Sequence, residues 1–280
     1  QALAMDVPSS ILDHFVNEVD GTSPNSLYNV YPFTSNLAYE TYGIDPLDTA
    51  SHTYVSAIPA GSSVKQDHTI ITSGRFNTTS FFYATNYLDK LYIGGSLGLT
   101  GVHYEQQTVH QESTSAPVDL KDLAYTDNLV TSGNGLDLKI GAIGRVTDQL
   151  RFGLAFHSPV WLQMSDAYSY SMTTDFRSSV NGVSSYSQTS PAGSYNYRIR
   201  TPWSLLASAA YVVGQSGLVS VDYEYKDFRQ AKLNSSAGTT DTYDFGMENN
   251  AINSDFRATS SLRVGTEWRS AGWYFRGGWG

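Results

Sequence analysis

The sequence predicts an all-β chain: an antiparallel transmembrane β-barrel with long extracellular loops and one or two short loop helices. Three observations predict it. From about Lys65 onward, apolar and polar residues alternate with a period of two. Tight-turn signals take turns with long polar stretches, which is the layout of a barrel with short turns at one end and long loops at the other. The composition is rich in Tyr (20) and Gly (24) and only 15% charged, against about a quarter in ordinary soluble domains.

Residues 1–64 read as an extracellular loop region with short helices. Ile11, Leu12, Phe15, Val16 and Val19 fall on one helical stripe, Ser9 or Ser10 is placed to cap it, and Gly21 follows it. A second short helix is expected from Ser35 to Tyr42. Residues 65–280 read as barrel, with about eight strands in four hairpins. The tight turns fall at Asn86–Lys90, Val146–Gln149, Gly214–Gly217 and Arg269–Gly272, at near-regular intervals. The long polar stretches Gln107–Asp119, Ser178–Gly193 and Asn234–Asn250 lie between them as loops.

The alternation assigns faces. Leu150, Phe152, Leu154 and Phe156 oppose Arg151, Gly153, Ala155 and His157. Leu136, Leu138, Ile140 and Ala142 oppose Asp137, Lys139 and Gly141. Val219, Val221, Tyr223 and Tyr225 oppose Ser220, Asp222, Glu224 and Lys226, and Leu262, Val264 and Trp268 oppose Arg263, Gly265 and Glu267. Trp203, Leu205, Ala207, Ala209 and Tyr211 oppose Ser204 and Ser208, although Leu206 and Val212 break the polar side. The apolar set is expected to face lipid and the charged or small set a lumen. A half-exposed soluble sheet alternates in the same way. The aromatic residues favour the membrane form: Tyr87, Tyr92, Tyr211, Trp268, Trp273 and Tyr274 sit near the tight turns, and Tyr168, Tyr170, Tyr195, Tyr197, Tyr223 and Tyr225 towards the loops, like two girdles.

Charge and residue usage exclude several functions. The net charge of −9 gives no support to nucleic-acid binding, which needs basic patches. With no Cys there is no disulfide framework and no thiolate metal site. No run approaches the roughly 20 apolar residues of a spanning helix; the best, Leu205–Val213, contains Ser208. The six His are scattered without metal-ligand spacing, and no Gly-x-Ser-x-Gly elbow or phosphate loop occurs. No enzyme activity, cofactor or metal is expected.

Several segments together resemble one family. They are Gly133–Ile143 leading into the turn at Thr147-Asp148, Leu150–Pro159, Tyr197–Trp203, and Gly217–Tyr225. They look like the FadL-like outer-membrane transporters of long-chain fatty acids and other hydrophobic compounds, most of all the branch found in Bacteroidetes. The resemblance implies a Gram-negative outer membrane, contact with membrane lipid and lipopolysaccharide, and hydrophobic small molecules or fatty acids as ligands. It also implies a larger barrel of about 14 strands, of which this chain is a piece without the N-terminal hatch and the closing C-terminal strands.

Such a transporter captures an apolar molecule near the loops, holds it in a lumenal pocket and releases it sideways where a strand kinks. That mechanism picks out residues here. Phe156, His157, Pro159 and Trp161, with Met164, are candidates for the pocket wall; Pro159 removes a ladder donor, so the strand either kinks there or ends. Pro202 is expected to mark a bulge. Leu12, Phe15 and Val16 either line a capture groove or pack the loop onto the rim. Arg198 and Arg200 are placed to meet a ligand carboxylate. The other lumenal charges carry both signs and are expected to pair with one another. Two other readings remain: a β-rich surface protein binding glycans through Tyr/Trp-rich loops, and a small structural barrel with a filled interior.

Overall fold

A computed structural model describes residues 2–48, 52–180, 182–236 and 243–280. Positions 181 and 237–242, within two of the stretches expected as loops, lie outside the described residues.

The strands are β1 (Ala2–Val7), β2 (Ile44–Asp48), β3 (Thr53–Ser56), β4 (Val64–Tyr87), β5 (Leu91–Thr114), β6 (Leu120–Arg145), β7 (Leu150–His157) and β8 (Trp161–Val180). They continue as β9 (Val183–Thr189), β10 (Gly193–Arg200), β11 (Ser204–Val213), β12 (Gly217–Asp227), β13 (Lys232–Ser235), β14 (Ala258–Ser270) and β15 (Trp273–Trp279). The helices are α1 (Ile11–Val19), α2 (Leu27–Val30), α3 (Ser35–Glu40) and α4 (Gly246–Asp255). The fold class is the one the alternation predicts: an all-β, antiparallel sheet of 13 strands, running β1-β4-β5-β6-β7-β11-β12-β14-β15, with β8, β9, β10 and β13 branching from it.

The chain divides into two compact units. One comprises residues 1–74, 103–131 and 166–195, the other residues 75–102, 132–165 and 196–280. The first has a conventional apolar core. Helix α1 begins where Ser10 and Asp13 form a reciprocal capping box, and the chain leaves it through Gly21 in the left-handed region at φ +81°. Its apolar stripe packs with Leu27, Leu37 and Ile44 against Leu120, Leu123 and Met172.

The second unit is built the other way round. Its registers are continuous: Ile140 pairs with Phe156, Phe156 with Leu205, and Leu205 with Tyr225. One row further on, Leu154 meets Ala207, Ala207 meets Tyr223, and Tyr223 meets Leu262. These residues share one face because side chains alternate along each strand, and that face is exposed: Ile140 is 51%, Leu154 57% and Leu262 47% exposed. Charged and small residues occupy the opposite face.

All four predicted turns are present. Leu88 and Asp89 both have positive φ (54° and 55°), as do Ala271 and Gly272 (48° and 86°), the signature of the tight hairpin turn that matches strand twist. Two expected loops are largely strand instead. Strand β5 runs on to Thr114 and β6 starts at Leu120, and β9 occupies most of the Ser178–Gly193 stretch. The Thr-, Gln- and Ser-rich segments there keep the extended ladder without an apolar face.

The girdle expected at the loop end is also different. Tyr168 and Tyr170 pack on Phe33, at 5.3 and 5.7 Å between ring centroids, and Tyr170 stacks on Tyr125 at 5.9 Å. Both are partly buried in the first unit, and Tyr170 packs against its core.

Candidate functional site

The candidate site lies on the charged-and-small face of the second unit. A cavity of about 640 Å³ is lined by residues of β4, β5, β6, β7, β11, β12 and β14, among them Tyr92, Ile143, Ala155, Leu206 and Arg263. Strands as far apart in the sheet order as β4 and β14 border one volume, so this part of the sheet curls around it.

Small residues create the space. Gly141 faces Ala155, and a Cβ on Gly141 would lie 3.2 Å from the Ala155 methyl. A Cβ on Gly153 would run into the Ser208 hydroxyl. Leu206 and Ile143 supply apolar surface where a polar side chain would otherwise stand. On β12 and β14, Asp222, Glu224 and Arg263 give the cavity a charged margin. Arg263 donates to Glu224 at 3.1 Å between β14 and β12, and Arg276 of β15 binds Glu267 of β14 at 2.6 Å. The mutual pairing expected of these charges is present at both places.

Next along the strands from this cavity the sheet is interrupted. Residues 158–160 separate β7 from β8, residues 201–203 separate β11 from β10, and a 3₁₀ turn at Phe228–Gln230 separates β12 from β13. Pro159 lies in this break: β7 ends at His157 and extended structure resumes at Trp161. Around Pro202 a three-residue break replaces the expected bulge. Side chains complete the ladder at both prolines. Ser158 donates its N–H to the Leu138 carbonyl (2.8 Å) and accepts the Leu138 N–H on its hydroxyl (2.8 Å). Thr201 donates its N–H to the Val160 carbonyl (3.1 Å) and accepts the Val160 N–H on its hydroxyl (2.8 Å). At the two proline breaks the exposed set changes parity: mostly even residues are exposed on β7 and odd ones at the start of β8, odd ones on β11 and even ones on β10.

The residues singled out from the sequence are distributed as follows. His157 follows Ala155 on the cavity's face of β7, opposite Lys139 and Ser204. Phe156 is on the apolar face, its ring 6.0 Å from Trp203, which in turn lies 5.9 Å from Tyr225. Pro159 is in the break and Trp161 is half exposed just beyond it, while Met164 is buried on the other side of β8. Leu12 (0% exposed) and Phe15 (2%) are sealed in the core of the first unit, with Val16 half-buried against them. Arg198 and Arg200 are exposed on β10 and border a separate cleft with Arg229 and Lys232. Alternation placed the charges and the small residues Gly141, Gly153 and Ala155 of the main cavity on the right face, but not the cavity itself. Leu206 was its visible signal, as a large apolar residue that interrupts the polar side of its strand, as Val212 also does.

No protein-family model matches the chain, and no curated protein matches it. Among solved structures, the chain is similar to the toluene transporter TbuX of Ralstonia pickettii, with 15% sequence identity and a TM-score of 0.44 over 77% of this chain. The match covers 64% of that structure, so the chain spans less than two thirds of its length.

Proposed function

We propose that this chain forms the wall of a FadL-like β-barrel in a Gram-negative outer membrane and carries hydrophobic small molecules, fatty acids among them, through the cavity of its second unit. One observation carries the reading: the sheet is apolar on its exposed face and curls its charged-and-small face around a cavity. A soluble monomer rarely exposes more than about 300–600 Å² of continuous apolar surface, and rows of Leu, Ile, Phe, Val and Tyr across six strands go well beyond that. Lipid removes the cost of that exposure. Strands β11 and β12, with 10 and 11 residues, match the about 9–11 of a tilted spanning strand.

A volume of this size falls in the range of small-molecule pockets, about 300–1,000 Å³. Leu206, Ile143 and Ala155 take the apolar body of the ligand, and each methylene withdrawn from water contributes about 0.8 kcal/mol. Arg263 stands at the margin to receive a carboxylate in exchange for Glu224. His157, Pro159 and Trp161 border the way between this cavity and the strand breaks, with Phe156 behind them on the apolar face. Leu12, Phe15 and Val16 serve by fixing α1 in its core. This is binding and passage without bond-making, so no catalytic group or cofactor is assigned.

The test is binding of the fluorophore N-phenyl-1-naphthylamine, and its displacement by oleate, with the chain folded in detergent. Leu206→Asp should weaken both by about tenfold or more, because a carboxylate would replace apolar contact. A chain that is monodisperse and β-rich without detergent, or binding indifferent to Leu206→Asp, refutes the proposal.

A further inference from the structure

A second cleft, of about 580 Å³, is walled by the β10–β13 ladder, the 3₁₀ turn that precedes β13, and α4. Its register sets Arg200 directly opposite Lys232 and Arg198 opposite Asn234. Like charges placed opposite each other destabilise an antiparallel pair. Nothing acidic offsets them: among the described residues, Arg198, Arg200 and Lys232 form no ion pair. Arg198 donates its guanidinium only to the Ser235 carbonyl, at 3.1 and 3.0 Å. Arg229, by contrast, is held by both oxygens of Asp227 at 2.8 and 2.7 Å. Asp244, the one carboxylate in the lining among the described residues, does not balance three cations.

The rest of the wall is amide and aromatic. Asn249 clamps α4 to β13 by accepting the Leu233 N–H and donating to the Leu233 carbonyl, both at 2.9 Å. This fixes the wall before any ligand arrives. Gln230, Asn234 and Asn250 bring further amides to the cleft. At its mouth the Tyr243 ring is 48% exposed and sits edge-on to Phe245 at 5.0 Å. Leu233, Ala231 and Phe245 are the main apolar lining, too little to take an acyl chain.

We propose that this cleft binds a phosphorylated saccharide. Guanidinium groups match phosphate oxygens in pairs, and an ammonium beside them adds a point charge. Amides both donate to and accept from hydroxyls, and Tyr243 and Phe245 stand beside them in the lining. The ligand relieves the unfavourable opposition of Arg200 and Lys232, which nothing else among the described residues explains. The proposal rests on the membrane reading in one respect: such head groups are presented to a chain embedded beside them. It gives Arg198 and Arg200 a ligand other than a fatty-acid carboxylate.

The experiment titrates the full chain, folded in a detergent without a sugar head group, with glucose 1-phosphate, glucose and inorganic phosphate. Glucose 1-phosphate should bind about tenfold or more tightly than either of the others. The double variant Arg200→Gln/Lys232→Gln should lose that binding by a similar factor, Arg200→Lys should keep part of it, and Lys121→Gln should keep it all. Heat-modifiable gel mobility reports that each variant has folded. Inorganic phosphate binding as tightly as the sugar phosphate, no binding by the unaltered chain, or binding unchanged in the double variant overturns the proposal. The naphthylamine probe is measured alongside. Its failure to bind, with glucose 1-phosphate still bound and sensitive to Arg200 and Lys232, defeats the uptake reading and leaves this one standing.

Discussion

The Glu112 carboxylate accepts the main-chain N–H of Ile11 at 2.7 Å, across 101 positions of sequence. The same buried group takes Gln66 Nε2 and His110 Nε2, each at 2.9 Å, and the Ser10 hydroxyl. One strand side chain thus pins the first turn of α1, where unsatisfied N–H groups and the helix dipole favour a negative charge. Replacing it with alanine strands several donors at once. Glu112→Ala should cost about 1.5–3 kcal/mol, read as faster hydrogen exchange confined to residues 11–19. Uniform loss across the chain, or none, would show that α1 is held by its apolar stripe alone.

Gly153 and Ser208 form a second coupled pair. A methyl at position 153 meets the Ser208 hydroxyl, so Gly153→Ala should destabilise the folded chain by about 1–3 kcal/mol. Adding Ser208→Ala should recover most of that. The double-mutant cycle in urea, followed by heat-modifiable mobility, measures the coupling, and additive costs would contradict the contact.

Thr201 mends the ladder beside Pro202 with its hydroxyl. Thr201→Val keeps the shape and removes the acceptor of the Val160 N–H. Stability should fall by about 1–3 kcal/mol, the cost of a buried unpaired donor, while Thr201→Ser should stay close to the unaltered chain. Equal behaviour of the two variants would argue that water takes over the bond.

Tyr243 donates to Glu248 at 2.7 Å, and that hydrogen bond, followed by one from the main chain, holds the Glu248 carboxyl below its ordinary value. A depressed acid stabilises the fold above its unfolded value, and the contribution disappears as pH falls through the folded value. Order in α4 should therefore loosen below the ordinary glutamate range, and Tyr243→Phe should flatten this dependence. Amide chemical shifts of residues 246–255 across an acid titration provide the check. A pH response unaltered by Tyr243→Phe would assign it to another group.

The strands of the second unit were legible because one physical pattern repeats: Leu150, Phe152, Leu154 and Phe156 against Arg151, Gly153, Ala155 and His157 carry both period and face. Helix α1 was equally plain, stripe and cap together. The upper part of β5 was not, because Thr108, His110 and Glu112 lie among residues that are polar on both sides, so extended structure leaves no hydropathic trace. Helix α4, with no apolar stripe, was hidden for the same reason. At the sites, the charges at the cavity margin were readable from alternation. The cavity itself was not, because it depends on Gly141, Gly153 and Ala155 being small where strands from distant parts of the sequence converge. The cation opposition of Arg200 and Lys232 required a register that skips 31 intervening positions.

The interruptions beside Pro159 and Pro202 have a consequence for how such a chain can vary. In an unbroken strand, one inserted residue turns every side chain beyond it to the wrong face. Here the exposed set already switches parity across residues 158–160 and 201–203. These short joints isolate β7 and β11 from changes of length in β8 and β10. The distal segments are free to lengthen, shorten and diversify by single residues while the apolar rows of β7 and β11 keep their aim.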